Sequence, residues 1–284
     1  MMRTLALLLT AVLASIASAA EPRVTRDIPY AEPANPRQML DVYAPAEGKD
    51  LPVIVWIHGG GWRRGDKASV QLKPAAFNER GFLFVSTTYR FVPEVTVKEM
   101  TGDVARAIRW THDHAAEYGG DGKRIIVMGH SAGAHLAALV CTDGSYLKAN
   151  GLSLDILKGC VPIDVSMYDI PTQMATVTDE ARKAAYRNAF GDDTAAHRDL
   201  SPALHVAAGK HIPPFLILHC ADRPESTAQS KLFAAVLQKA GIPAATFAGE
   251  GKTHTSISTD IGKPDDPPTI AIDKFLDDVL KAKP

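Results

Sequence analysis

The chain has 284 residues, of which 46% are hydrophobic, and a formal net charge of −1 at pH 7. This length suits one large α/β domain or two small ones, and the apolar share is ample for a core. The nearly balanced charge excludes the strongly basic surface that is typical of proteins binding nucleic acid or anionic membranes. We therefore expect neither of these as a partner.

The first nineteen residues are typical of a targeting segment. Met1-Met2-Arg3 supplies a positive start, Leu5 to Ile16 is apolar and uncharged, and Ala17-Ser18-Ala19 offers an A-x-A cleavage site. The apolar run is shorter than the roughly 20 residues that a membrane-spanning helix needs. We predict a signal peptide over residues 1–19, no stable membrane anchor, and export to the periplasm or the medium.

Beyond this segment, apolar runs alternate with amphipathic stretches, which is typical of a mainly parallel sheet with helices on both faces. The predicted strands are 38–43, 53–57, 82–88, 124–128, 157–163, 215–220 and 244–247. The predicted helices are 97–118, 132–141, 227–239 and 269–280. The segment 165–208 interrupts the alternation between two strands. We predict that it forms a small cap insertion on a single α/β domain of residues 20–284.

Three cysteines lie in the predicted mature chain: Cys141, Cys160 and Cys220. In an oxidising compartment one pair could form a disulfide and leave one thiol free. Their apolar neighbours favour the alternative, in which all three are buried core residues. No metal-ligand spacing involves them, and we expect no metal or organic cofactor.

The pentapeptide Gly129-His130-Ser131-Ala132-Gly133 stands between a predicted strand and a predicted helix. A serine on such a tight turn leaves no room for side chains two positions before and two after it, and glycine occupies both positions. The following helix directs its N-terminal N–H groups toward the serine, which favours negative charge there. The pattern predicts that Ser131 is a nucleophile.

A second motif, His58-Gly59-Gly60-Gly61-Trp62, follows the predicted strand 53–57. Backbone N–H groups of such a loop can face a developing oxyanion. We predict an oxyanion hole formed by the N–H groups of Gly60, Gly61 and Ala132. His58 is expected to order the loop, while Trp62 could either pack beneath it or line an acyl pocket.

A serine hydroxyl needs a base, and the base needs a carboxylate to fix its tautomer. In this architecture the expected chain order is serine, then the acid, then histidine. His254 is the only histidine after the predicted strand 215–220, so we predict that it is the base. Asp222, directly after strand 215–220, is the predicted acid, with Glu225 as the runner-up and Asp164 as the third choice.

These motifs resemble those of the α/β-hydrolase superfamily, in its His-Gly-Gly-Gly branch of esterases and lipases. With Trp62 after the glycines, followed by Arg63-Arg64-Gly65-Asp66-Lys67, the chain is most similar to arylformamidases and BD-FAE-like esterases. The resemblance extends from about Leu40 to the end. It implies an α/β-hydrolase fold and a triad of Ser131, Asp222 and His254.

We therefore expect a serine carboxylic-ester hydrolase that acts through an acyl-enzyme on a small or short-acyl ester. An amidase or arylformamidase of the N-formyl-kynurenine type would use the same triad and is the alternative. A non-catalytic binding protein on the same fold is less favoured, because every member of a triad is present. The oligomeric state and the physiological substrate are left open.

Overall fold

The computed structural model describes residues 23–281, so the predicted signal peptide of residues 1–19 lies outside the described part. Within residues 23–281, eight strands form one sheet in the order β1-β2-β4-β3-β5-β6-β7-β8. The strands are β1 Arg23–Pro29, β2 Met39–Ala44, β3 Leu51–Ile57, β4 Leu83–Thr87, β5 Gly120–His130, β6 Leu157–Ile163, β7 Phe215–Cys220 and β8 Ala244–Gly249. β2 pairs antiparallel with both β1 and β4, and all the other pairs are parallel.

Ten α-helices connect or flank these strands in the same described range. They are α1 Lys73–Glu79, α2 Val97–His114, α3 Ala132–Thr142, α4 Ser145–Lys148, α5 Ile170–Thr176, α6 Glu180–Phe190, α7 Thr194–Asp199, α8 Pro224–Lys239, α9 Ser256–Thr259 and α10 Pro267–Lys281. The longest, α2, begins at a capping box in which the Thr96 hydroxyl and the Glu99 carboxylate each bond the other's backbone N–H. It continues as a 3₁₀ turn that ends at Gly119, whose φ is 86°.

Each central strand contributes side chains to two cores, one on each face of the sheet. In β3, Val53 and Val55 pack with residues of α2, α3 and α8, whereas Ile54 and Trp56 pack with residues of α1 and α10. Near-continuous apolar runs are what a strand buried on both faces requires. The structure confirms the predicted fold class, a mainly parallel sheet with helices on both faces.

The sequence did not predict β1 or α1. Six of the seven residues of β1 are exposed, and the strand is held at the sheet edge by backbone pairing with β2. A strand of this kind has no buried side to produce an alternating pattern. Helix α1 has only seven residues and begins at Lys73-Pro74, which is too short for a clear helical periodicity.

Three helices, α5 to α7, and a 3₁₀ turn at Pro202–His205 lie between β6 and β7. They occupy the segment that the sequence marks as a cap insertion. The cap and the single domain of residues 20–284 remain predictions.

Cys141, Cys160 and Cys220 are buried and carry free thiols, which agrees with core cysteines. Among residues 23–281, no helix combines the length and apolarity needed to span a bilayer.

Candidate active site

The turn between β5 and α3 places Ser131 at the carboxyl edge of the sheet. Its φ of 54° and ψ of −122° are uncommon for a residue other than glycine. A Cβ on Gly129 would collide with the carbonyl oxygen of Gly133, and one on Gly133 would collide with that of Ile57. The Ser131 N–H donates to the carbonyl oxygen of Ile163 at 2.9 Å. These contacts explain why the motif has glycine at both positions.

His254 lies between Ser131 and Asp164. Its Nε2 is 3.0 Å from the Ser131 Oγ, and its Nδ1 is 2.6 Å from the Asp164 Oδ2. The Arg223 Nη1 also lies 2.6 Å from this Nδ1, but an Nδ1 that accepted from Arg223 would have no proton to donate to Asp164. Because an ionised carboxylate can only accept hydrogen bonds, we assign the proton to Nδ1, which donates to Asp164. This tautomer leaves the Nε2 lone pair to accept the Ser131 hydroxyl proton, which is the arrangement that a general base requires.

The structure does not bring Asp222, the predicted acid, to His254. Asp222 is exposed, and its side chain forms no hydrogen bond or ion pair within residues 23–281. Helix α8 begins at Pro224, so residues 221–223 alone connect it to β7. A loop this short leaves the Asp222 carboxylate at the surface. The expected contact of Asp222 with His254 is therefore corrected: Asp164, the third choice from the sequence, holds that position.

The runner-up Glu225 is also turned away, since its carboxylate pairs with Arg182 of α6 at 2.6 Å. Two residues that contact the site, Arg223 and Ser226, were not identified from the sequence. The sequence marks Asp164 as a candidate, because a carboxylate that follows a buried parallel strand stands at the edge where Ser131 lies, but Asp222 has the same kind of position.

Asp164 is fully buried, and four residues stabilise its negative charge. Besides His254, the Ser226 hydroxyl donates at 2.6 Å, the Cys220 N–H donates at 3.2 Å, and the Arg223 guanidinium pairs with Oδ2. Burial by itself raises the pKa of Asp164, but the bonds from His254 and Ser226 and the charge of Arg223 outweigh it. The pKa of Asp164 is thereby held far below its usual range, and the group is ionised at neutral pH.

The glycine loop after β3 lies against the turn between β5 and α3 that holds Ser131. A Cβ on Gly59 would stand 3.1 Å from the Ser131 Cβ. The N–H groups of Gly60 and Gly61 have no hydrogen-bond partner within residues 23–281. Ala132 is the first residue of α3, where backbone N–H groups lack an intrahelical partner. The three predicted oxyanion donors are therefore free to bind an anion.

Two histidines support this geometry as neutral rings. His58 donates from Nδ1 to the Gly59 carbonyl oxygen at 2.7 Å and stacks on Tyr89, and burial lowers its pKa to about 4. The His130 ring lies 4.6 Å from that of His254, centre to centre, at an angle of 39°, and its Nε2 donates to the His254 backbone oxygen at 2.7 Å. Burial, with the neighbouring His254, lowers the pKa of His130 to about 3. His58 orders the glycine loop, and His130 positions the His254 backbone.

Trp62 packs beneath the glycine loop. It is 5% exposed, and its ring meets those of His135, Tyr186 and Phe190 at centroid distances of 4.8 to 6.4 Å. These contacts connect the loop to α3 and to α6. Of the two roles considered for Trp62, packing is the one that the structure supports.

A cavity of about 840 Å³ opens over Ser131 and His254. Its lining includes residues of the glycine loop, the turn that holds Ser131, and α9, together with Ala185 of α6. The site thus combines a serine, a histidine in the correct tautomer, a buried carboxylate and free N–H donors. This set can carry out acyl transfer through a covalent intermediate.

The fold is similar to those of solved structures. An inhibited esterase B from Lactobacillus rhamnosis is similar to the chain with a TM-score of 0.76 and 21% identity, covering 92% of this chain and 88% of that one. At this identity the likeness shows the fold alone. That fold is the α/β-hydrolase fold, as predicted.

The BD-FAE family profile matches residues 40–237, and the chain belongs to this family. It is 31% identical over 277 residues to a probable isoprenylcysteine alpha-carbonyl methylesterase, ICMEL1, of Arabidopsis thaliana, covering 91% of this chain and 56% of that protein. It is 30% identical over 240 residues to esterase LipQ of Mycobacterium tuberculosis, covering 81% and 56%. The chain spans somewhat more than half the length of these two relatives. The BD-FAE-like resemblance seen in the motifs is confirmed.

Proposed function

We propose that this protein is a serine carboxylic-ester hydrolase with Ser131, His254 and Asp164 as its triad. The observation that carries this proposal is the continuous path from the Ser131 Oγ through both ring nitrogens of His254 to the Asp164 carboxylate. Membership of a family whose relatives are named as esterases supports the same reaction.

In the first half-reaction, the Ser131 Oγ attacks the ester carbonyl carbon while His254 Nε2 takes the hydroxyl proton. The oxyanion forms against the N–H groups of Gly60, Gly61 and Ala132, and losing one such donor costs about 3 kcal/mol in known cases. The carbonyl re-forms, the C–O bond to the alcohol breaks, and His254 returns the proton to the departing alkoxide. Asp164 stabilises the imidazolium throughout.

In the second half-reaction, water replaces the alcohol. His254 removes a proton from the water as its oxygen attacks the acyl carbon, and the tetrahedral intermediate collapses with the proton returning to the Ser131 Oγ. The products are the free acid and the enzyme in its starting state. Atoms balance as ester plus water giving acid plus alcohol.

The test is turnover of p-nitrophenyl acetate together with labelling by a fluorophosphonate probe. We expect labelling at Ser131, and we expect Ser131→Ala to lose both labelling and at least about 10⁴-fold in kcat. Thermal unfolding of the variant should match that of the wild type. Undiminished turnover in Ser131→Ala would overturn the proposal.

We also propose that the protein is exported and cleaved near Ala19. Support comes from the uncharged run Leu5 to Ile16 and from Ala17-Ser18-Ala19. N-terminal sequencing of the full-length gene product recovered from the periplasm or the medium should begin at residue 20 or 21. Leu8→Asp, which places a charge in the apolar run, should retain the protein in the cytosol. Recovery of exported protein with Met1 intact would contradict cleavage.

A further inference from the structure

The charged side chains that line the cavity over Ser131 are positive. Arg63 and Arg64 contribute to its lining, and no aspartate or glutamate of the described residues does so. The side chains of these two arginines form no hydrogen bond or ion pair within residues 23–281. The other polar side chains of the lining, apart from the histidines and Ser131, are neutral: Ser69, Gln71, Thr255, Ser258 and Thr259.

The position of these arginines is set by the glycine loop itself. A Cβ on Gly60 would collide with the carbonyl oxygen of Arg64, so the Arg64 backbone lies directly against an oxyanion donor. The acidic residue of the same segment, Asp66, accepts from the Ala68 N–H at 2.8 Å and is not part of the lining. The guanidinium groups are therefore available to a ligand in the cavity.

A buried lysine stands behind the cavity. Lys73 is fully buried, yet no carboxylate pairs with it among the described residues. Its Nζ lies 4.5 Å from the centre of the Trp56 ring and donates to the Gln71 Oε1 at 3.2 Å, and both of these residues line the cavity. Burial lowers the pKa of Lys73 to about 7. A buried ammonium without a counter-charge is unfavourable, and an anion on the other side of Trp56 and Gln71 would stabilise it.

We propose that the ester cleaved at Ser131 carries a carboxylate, which Arg63 and Arg64 bind and whose charge favours the protonated form of Lys73 behind the cavity. This inference rests on the proposed esterase function. Guanidinium groups suit the task because their planar N–H donors match both oxygens of a carboxylate.

Two matched substrate pairs test the proposal and locate the carboxylate. Monomethyl succinate and methyl butyrate differ by a carboxylate on the acyl side, and 4-acetoxybenzoate and its methyl ester differ by one on the alcohol side. In at least one pair we expect kcat/KM to be about tenfold or more higher for the anionic ester, since one charge-assisted contact has roughly that effect. The preference should shrink as ionic strength rises, because salt screens exposed arginines.

The double variant Arg63→Gln/Arg64→Gln should bring the anionic-to-neutral ratio of kcat/KM close to one. The matched control is Arg198→Gln, which removes an exposed arginine of α7 that lies outside the cavity lining. It should leave the ratio as in the wild type.

The outcomes separate this inference from the function on which it rests. Turnover of the neutral esters with no anionic preference in either pair overturns the carboxylate proposal and leaves the esterase intact. A preference that survives unchanged in the double variant also overturns it. If none of the four esters is hydrolysed and Ser131 is not labelled by a fluorophosphonate, the esterase function fails, and the inference fails with it.

Discussion

The Asp164 carboxylate accepts a 2.6 Å hydrogen bond from Nδ1 of His254. Asp164 directly follows β6, while His254 stands between β8 and α9. The acid therefore reaches the imidazole from the strand beside the nucleophile strand, not from the loop after β7. The carboxylate is buried and accepts a hydrogen bond from the Ser226 hydroxyl. This contact orients the carboxylate, which suits a group that must fix the tautomer of a histidine.

Replacement of Asp164 is expected to remove most of the activity. Asp164→Asn should lower kcat by about 10³–10⁴-fold, because an amide cannot stabilise the imidazolium or enforce the Nδ1–H tautomer. Asp222→Asn, at the exposed position, is the matched control and should retain kcat within about threefold. Steady-state assays with p-nitrophenyl acetate compare them, and circular dichroism checks folding. A larger loss in Asp222→Asn than in Asp164→Asn would reverse the assignment.

Two neighbouring glycines of the oxyanion loop should respond differently to alanine. At Gly60, φ is 135° and an added Cβ collides with the Arg64 carbonyl oxygen. Gly60→Ala should therefore shift the loop and lower kcat by about 10²-fold or more, the scale of one lost oxyanion donor. At Gly61, φ is 61° and an added Cβ meets nothing within 4 Å.

Gly61→Ala should cost only about 1 kcal/mol of left-handed backbone strain and less than about tenfold in kcat. It is the control for Gly60→Ala, since both variants keep the backbone N–H. Parallel kcat and urea-unfolding measurements distinguish a displaced loop from a destabilised fold. Equal losses of kcat in the two variants would argue against the proposed loop geometry.

Lys73 should make stability depend on pH in the alkaline range. Burial lowers its folded-state pKa to about 7 from an ordinary value of 10.5. Between these two values the unfolded chain binds more protons than the folded one, so the free energy of unfolding rises with pH. By the 1.36 kcal/mol conversion for each pKa unit, the rise is of the order of 3–5 kcal/mol.

Lys73→Met removes this proton and should be more stable than the wild type at pH 7. Its advantage should disappear as the pH approaches 10. Urea unfolding of both proteins at pH 7, 8.5 and 10 measures the difference, with the exposed Lys231→Met as control. A difference that is constant with pH would mean that Lys73 is not deprotonated in the folded protein.

Truncation of Trp62 should loosen the contact between the glycine loop and α6. Trp62→Ala removes a buried ring that packs on Phe190 and Tyr186, and such losses cost about 3–5 kcal/mol. Trp110→Ala, which truncates a half-buried ring stacked on His114, should cost less. Urea unfolding ranks the two variants. Equal costs would show that Trp62 does not hold these elements together.

Much of the architecture could be predicted because buried parallel strands have a strong local signature. The strands from Leu51 to Gly249 were identified from apolar runs, and the long helix α2 was identified from its 3.6-residue period. The edge strand β1 was missed because its stability comes from backbone pairing with β2 and not from burial of its own side chains. Hydrophobic patterns in a sequence reflect the burial of side chains, and an exposed edge strand buries few of them.

For the site, sequence patterns alone predict the turn that holds Ser131, the glycine loop and the pairing of Ser131 with His254. The need for glycine in a tight turn is a local property, and the order of serine and histidine along the chain can be read directly from the sequence. Which carboxylate contacts His254 depends on the three-dimensional fold, because Asp164 and Asp222 both follow core strands and differ in where the next element begins. With α8 starting at Pro224, Asp222 is left at the surface, while Asp164 is buried between Ser226, Cys220 and His254. Burial and three-dimensional contact, which no linear spacing reports, select between them.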